Sequence, residues 1–267
     1  MVLSVAFSAL LMAVVFHFQA KSFPITIKGI QRWSQAYWVL GAASLLQAGR
    51  QYFPDFFSVF VGTVLLQVGI LLLYTGLCQF KNKAPNYLLW AVPAGIHLLC
   101  SFWFIYIDPI LWARVAVTTF SNCVLFTVCL TLVLTPNAGQ SRWRFSSVFA
   151  AIFVVGVMSI SLMRGSWALW FKPLVVQPVA PTSFNVLTLL FPITVVAFSM
   201  GLVLMAFDRL KMELEYLISH DVLTGAYSRR GFIQLAETEV SRAHRMHRDV
   251  ALLMLDLDRF KMINDHY

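Results

Sequence analysis

Apolar residues dominate residues 1–207 in long blocks, broken only by short polar or proline-bearing stretches. A helix needs about 20 mainly apolar residues to cross a bilayer. Seven blocks meet that length, at 1–20, 34–53, 56–79, 86–107, 110–134, 146–164 and 184–207. Pro54-Asp55 and Asp108-Pro109 supply the turns that part the second block from the third and the fourth from the fifth. The first block has no positive leader, and its first cation, Lys21, follows the apolar run, so it reads as a retained helix rather than a cleaved signal. The pattern predicts a mainly α protein built on a polytopic seven-helix bundle over 1–207. Phe184–Phe207 contains no lysine for a Schiff base. Nor is there an internal repeat of the kind transporters show.

Beyond Phe207 the pattern changes. Val203, Phe207, Leu210, Leu214 and Leu217 fall at spacings of 4, 3, 4 and 3, the period of a two-stranded coiled-coil seam. Arg209–Glu213 and Lys211–Glu215 are i,i+4 pairs on the opposite face. Residues 208–220 therefore read as a parallel dimer stalk, the alternative being a plain cytoplasmic extension of the last span. Residues 221–267 form a polar tail. Gly225 suits a turn with positive φ, and Ser228 is placed to cap a helix. The apolar positions of that helix, Phe232, Leu235, Ala236, Val240 and Ala243, follow helical spacing. Val250–Leu255 is apolar and of strand length, and is predicted to be a buried strand.

Composition sharpens the division. The chain is 59% hydrophobic and only 12% charged, about half the charge of a soluble domain, which excludes a single water-soluble globule. Residues 1–207 hold 11 Lys/Arg and 2 Asp/Glu, whereas residues 208–267 hold 9 and 10. The net +8 thus belongs to the apolar part, where the cations stand singly or in pairs between the blocks. They read as orientation signals and not as a nucleic-acid face. Lys21, Lys28, Arg32, Lys81, Lys83, Arg142, Arg144, Arg209 and Lys211 lie on one side, against Arg50, Arg164 and Lys172 on the other. This puts the N-terminus outside and the C-terminal tail in the cytoplasm. Trp33, Trp38, Trp90, Trp112, Trp143, Trp167 and Trp170 stand near block ends, as an interfacial belt requires. Cys78, Cys100, Cys123 and Cys129 show no CxxC spacing and read as small buried hydrophobes.

Six polar side chains interrupt the apolar blocks: His17, Gln47, Gln67, His97, Arg114 and Asn122. Ionisable groups at membrane depth are costly and point to function by default. They suit a ligand or ion pocket inside the bundle, or else interhelical hydrogen bonding with Arg114 snorkelling to the outer surface. His17 and His97 have the chemistry of axial haem ligands, without any supporting motif.

The tail carries the most specific chemistry. Asp256 and Asp258 follow the predicted strand and are succeeded by Arg259, Phe260 and Lys261. Carboxylates beside a basic turn suit a hard cation on phosphate oxygens. Asp221-x-Leu223-Thr224-Gly225 with Arg229-Arg230, then Asp256-x-Asp258-x-Phe260-Lys261-x-x-Asn264-Asp265, resembles the start of the GGDEF family of diguanylate cyclases. Ser228 stands where the family more often has Asn. The resemblance covers roughly 217–267 and implies the N-terminal portion of an α/β nucleotidyl-cyclase-like domain over 221–267. It implies an enzyme of the bacterial inner membrane that makes cyclic di-GMP from two GTP with Mg²⁺, working as a homodimer. Carried over by motif, Asp256 would bind Mg²⁺ through its side chain and Leu257 through its carbonyl. Arg259, Phe260 and Lys261 would lie along the triphosphate, with Lys261 stabilising charge in the transition state and Asn264 bonding the guanine edge. Asp258 and Asp265 would have supporting roles, and Asp221 would pair with Arg229 or Arg230. The family continues past this point to the GG[DE]EF loop, so the chain reads as cut short and by itself inactive. A degenerate receptor or scaffold, and a non-enzymatic membrane sensor, are the alternatives.

Overall fold

The computed structural model describes residues 2–136, 144–170, 182–221, 223–256 and 258–266, with the side chains of 111, 182–189, 260, 263 and 264 outside the description. Two compact units divide the chain, Met1–Leu210 and Lys211–Tyr267.

The first unit is a helical bundle. Its helices are α1 (Val2–Ser22), α2 (Ile30–Ala48), α3 (Gly62–Phe80), α4 (Tyr87–Phe102), α5 (Leu111–Leu134), α6 (Phe145–Trp170) and α7 (Thr182–Ser219). One π-helical stretch, Phe56–Val61, leads into α3, and another, Trp103–Ile107, ends α4. Six of these elements are long and apolar enough to cross a membrane among the described residues, and α2 is not one of them. Of the seven expected spans, the second is the one that falls short of this apolarity. Packed against α1 and α3, α2 turns Trp33, Ser34, Ala36 and Tyr37 into the core, while its first turns leave the polar Gln31, Arg32 and Gln35 exposed. α6 also runs on to Trp170, six residues past its expected end. Lys172 and Trp143 lie outside the described residues.

The core is aromatic at the α1–α2–α3 contact. Phe16 stacks on Tyr37 at 5.2 Å and meets Trp33 edge-on at 5.8 Å, while Trp33 tilts against Phe80 at 5.3 Å. Trp33 is 0% exposed, so it is a core residue and not part of an interfacial belt. Gly29 starts α2 at φ 97°, and a Cβ there would collide with the Gly76 carbonyl, so only glycine admits this approach. Between α6 and α7, a Cβ on Gly201 would lie 2.7 Å from Cα of Ala150. Such small-residue contacts bring membrane helices together where no hydrophobic driving force does. Tyr37 accepts a hydrogen bond from Ser199 at 2.5 Å, tying α7 to α2. Arg144 donates to the Asp208 carbonyl at 3.2 Å, and Ser146 to the Asp208 carboxylate at 2.6 Å. Large apolar side chains project outward instead, such as Phe7, Leu11 and Phe18 on α1 and Leu88, Val92 and Leu99 on α4. In water such a surface is prohibitive; in lipid it is ordinary.

The second unit contains the end of α7, α8 (Arg229–Met246) and α9 (Phe260–His266). No strand occurs among its described residues; the only β pairing is an isolated bridge, His220 with Tyr227. Val250–Leu255, expected to be a buried strand, has no regular secondary structure and is exposed, with Leu253 at 80% and Leu255 at 85%. A strand gains stability from neighbours to pair with, and the described residues supply none, so the α/β character is not seen here.

Candidate functional site

Two regions gather the residues that the sequence singles out. The first is the turn that ends α7. Asp221 Oδ1 accepts from the Leu223 amide at 3.1 Å and from both the amide and hydroxyl of Thr224 at 2.9 Å. Gly225 takes φ 69° and its amide donates to the Asp221 carbonyl at 2.9 Å. The Asp221 amide donates to the Ala226 carbonyl at 2.8 Å, and the Ser228 amide to the Ser219 carbonyl at 2.8 Å. Ser228 caps α8 as expected, accepting from the Gly231 amide at 3.1 Å while donating to the Ile218 carbonyl at 2.8 Å. The Thr224 and Leu223 hydrogen bonds hold the Asp221 carboxyl below its ordinary range. Asp221 thus serves the turn itself; among the described residues no ion pair joins it to Arg229 or Arg230, which corrects that expectation. The sequence reading missed His220. Its ring lies 4.2 Å from Tyr216 and 4.5 Å from Tyr227. The signal was present in the aromatic residues placed before and after the motif.

The second region is the segment after Leu255. Asp256 is exposed at the end of the apolar run. Arg259 adopts φ 57°, reversing the chain just before α9, and the Met262 amide donates to its carbonyl at 3.0 Å. Lys261 is exposed in the first turn of α9. Phe260 and Asn264 lie on α9 with side chains outside the description, and Leu257 lies outside the described residues. The turn brings Asp256, Asp258, Arg259 and Lys261 close in sequence and leaves all four open to solvent. The donor set is carboxylate oxygen, which suits a hard divalent cation.

The apolar stripe expected to form a dimer seam is split by the fold. Val203 is buried in the bundle core and Leu210 packs against it. Phe207 meets Phe23 edge-on at 5.3 Å. Leu214 and Leu217 remain about half exposed, at 50% and 52%. Of the expected i,i+4 ion pairs, Lys211–Glu215 is present at 3.8 Å.

Within the bundle, five of the six intramembrane polar residues line one cavity: Gln47, Gln67, His97, Arg114 and Asn122. His17 does not, being exposed on α1. His97 has Gln67 Nε2 at 2.5 Å from Nδ1 and the Thr118 hydroxyl at 3.2 Å from Nε2. Both ring nitrogens are therefore occupied.

Comparison with known proteins agrees with the motif. The family description "Diguanylate cyclase, GGDEF domain" matches residues 218–267. Diguanylate cyclase DgcM of Escherichia coli strain K12 is 41% identical over 59 residues, 22% of this chain and 14% of that protein. "Probable diguanylate cyclase DgcC" of the same strain is 38% identical over 55 residues, 21% of this chain and 15% of that protein. The chain therefore spans only about a seventh of the length of the curated relatives it matches. No solved structure matches the chain. Residues 218–267, which close a chain with six helices apolar enough to cross a membrane, are thus similar to the GGDEF domain of diguanylate cyclases.

Proposed function

We propose that this chain is the membrane region, stalk and leading catalytic segment of a bacterial inner-membrane diguanylate cyclase, which joins two GTP into cyclic di-GMP and releases two pyrophosphates. One observation carries this reading: the family match at 218–267 begins within α7, the last helix of the apolar bundle. In this reading 1–207 is the sensor bundle, 208–220 the signalling stalk and 221–267 the start of the cyclase domain. α2 is a seventh crossing, with the exposed Gln31, Arg32 and Gln35 of its first turns at the cytoplasmic surface. The N-terminus is outside and the tail cytoplasmic.

Asp256 and the Leu257 carbonyl would hold Mg²⁺, which when bound neutralises phosphate charge. Arg259, Phe260 and Lys261 bind the triphosphate, Lys261 also serving charge that develops in the transition state, and Asn264 reads guanine. Each active unit needs two copies, because each copy supplies one GTP; exposed Leu214 and Leu217 form the remaining dimer seam. The 267-residue chain alone is inactive, since Val250–Leu255 is unpaired and exposed and cannot offset the entropy of ordering a site beside it.

The test is cyclic di-GMP quantified by mass spectrometry in cells expressing the complete reading frame. Product rises over background, and Asp256→Asn or Lys261→Ala lowers it about 100-fold, the scale of losing one electrostatic stabiliser. The purified 267-residue chain yields none with GTP and Mg²⁺. An unchanged level in both variants refutes the assignment, and GTP binding without turnover by the complete protein points to a receptor instead.

A further inference from the structure

The cavity that gathers the intramembrane polar residues has a volume of about 460 Å³, within the range of about 300–1,000 Å³ usual for small-molecule sites. It lies where α2, α4 and α6 end and α3, α5 and α7 begin, the end of the bundle opposite to Asp208. Both π-helical stretches contribute to its wall, through Ser58 and Val59 in one and Ile105 in the other. Such distortions of α-helices are rare and recur at functional sites.

Charge makes the cavity specific. Three guanidiniums line it, Arg50, Arg114 and Arg164, and no Asp or Glu is among its lining residues. Arg50 is paired with Asp55 at 3.3 Å. Arg114 and Arg164 form no ion pair among the described residues, and Nε of Arg164 is buried without a hydrogen-bond partner. The Gln67 carbonyl oxygen on the same wall is also buried and unpartnered. Asp55, already paired with Arg50, acts on Arg114 only through space; cations without an ion pair at the wall of a membrane-embedded cavity are expensive, and an anion is what would relieve them. A guanidinium matches a carboxylate with two parallel N–H···O bonds. The rest of the lining is neutral polar and aliphatic, including Thr118, Leu66 and Ile160, which suits a compact organic body more than a bare inorganic ion.

We propose that this cavity is a binding site for a small organic carboxylate, held by the guanidiniums of Arg114 and Arg164. The site is independent of the cyclase reading, because it is defined by the bundle alone. The carboxylate could come from the aqueous phase or be the head of a fatty acid in the bilayer, and the test separates these sources.

The purified chain in phosphatidylcholine nanodiscs is titrated calorimetrically with acetate, lactate, succinate and benzoate, with laurate, and with inorganic phosphate. The amides of the same acids serve as neutral controls. At least one acid saturates at one per chain, and its amide binds at least about tenfold more weakly. Arg114→Gln and Arg164→Gln each weaken the acid about 10- to 100-fold, as loss of a charge-assisted pair requires. Arg164→Lys, which keeps the charge but not the fork, falls between. Saturation by a soluble acid assigns the site to an aqueous ligand, and saturation by laurate alone assigns it to a lipid-derived one. The proposal fails if no acid saturates, if acid and amide bind alike, if phosphate alone binds, or if both glutamine variants bind normally. Should either variant fail to fold, the acid–amide comparison in the unaltered chain decides.

Discussion

Single ionisable residues hold the turn after α7 and the end of α3. Asp221 gathers three donors of its own turn on one carboxylate oxygen, and those bonds stabilise its ionised form. With the carboxyl held below the ordinary 3.8, its contribution is present above that value and lost as pH falls through the lowered folded pKa. Asp221→Ala is expected to abolish hydrogen-exchange protection at the Leu223 and Thr224 amides; unchanged protection refutes this account of the motif. Lys81, just beyond α3, donates to the Thr135 carbonyl at 2.8 Å at the end of α5. Burial foremost, then the nearby cations Lys83 and Arg209, pull its amine down to about 8. Between about 8 and the ordinary 10.5 the unfolded chain binds more protons. This group therefore makes folding more favourable as pH rises through that window. In ¹³C-methylated protein one lysine resonance titrates near pH 8 and disappears in Lys81→Arg; titration of every lysine above pH 10 contradicts it.

At the scale of elements, α7 does two jobs. Its first half packs through Phe198, Leu202 and Val203 into the bundle core, and its last turns present Leu214 and Leu217 outward. The heptad spacing is one continuous pattern, yet packing divides it, because an apolar stripe is satisfied equally by a bundle neighbour or by a second copy. Only the exposed part is left to a partner. Leu214→Cys is expected to form a disulfide-linked dimer in membranes under mild oxidation, whereas Val203→Cys, facing the core, does not. A Leu214→Cys protein that stays monomeric removes the stalk interface. Ser228, Gly225 and the start of α8 were legible because caps and positive-φ turns are local chemistry. Val250–Leu255 was not, because a strand depends on partners remote in sequence.

For the whole molecule, the charge asymmetry and the lipid-ready exterior lead to one expectation of topology. With α2 crossing, single cysteines near Arg50 react with an impermeant maleimide added outside intact cells, and cysteines near Lys83 or Lys211 react only after permeabilisation. Labelling near Arg50 from the cytoplasmic side would remove α2 as a crossing and leave six. The sequence by itself determined the two solvents, the helical bundle, the turn and cap chemistry at 221–228 and the cyclase motif. All of these reside in composition, short-range spacing or an ordered set of residue types. Tertiary structure decided what depends on neighbours: that Trp33 on α2 is a core residue, and that the first part of the heptad stripe, Val203 to Leu210, packs into the bundle. It also decided that Arg114, which could equally have snorkelled to the surface, shares a cavity with Arg164, 50 positions away in the chain. A guanidinium's meaning in a membrane is set by what shares its cavity, and spacing along the chain carries no record of that.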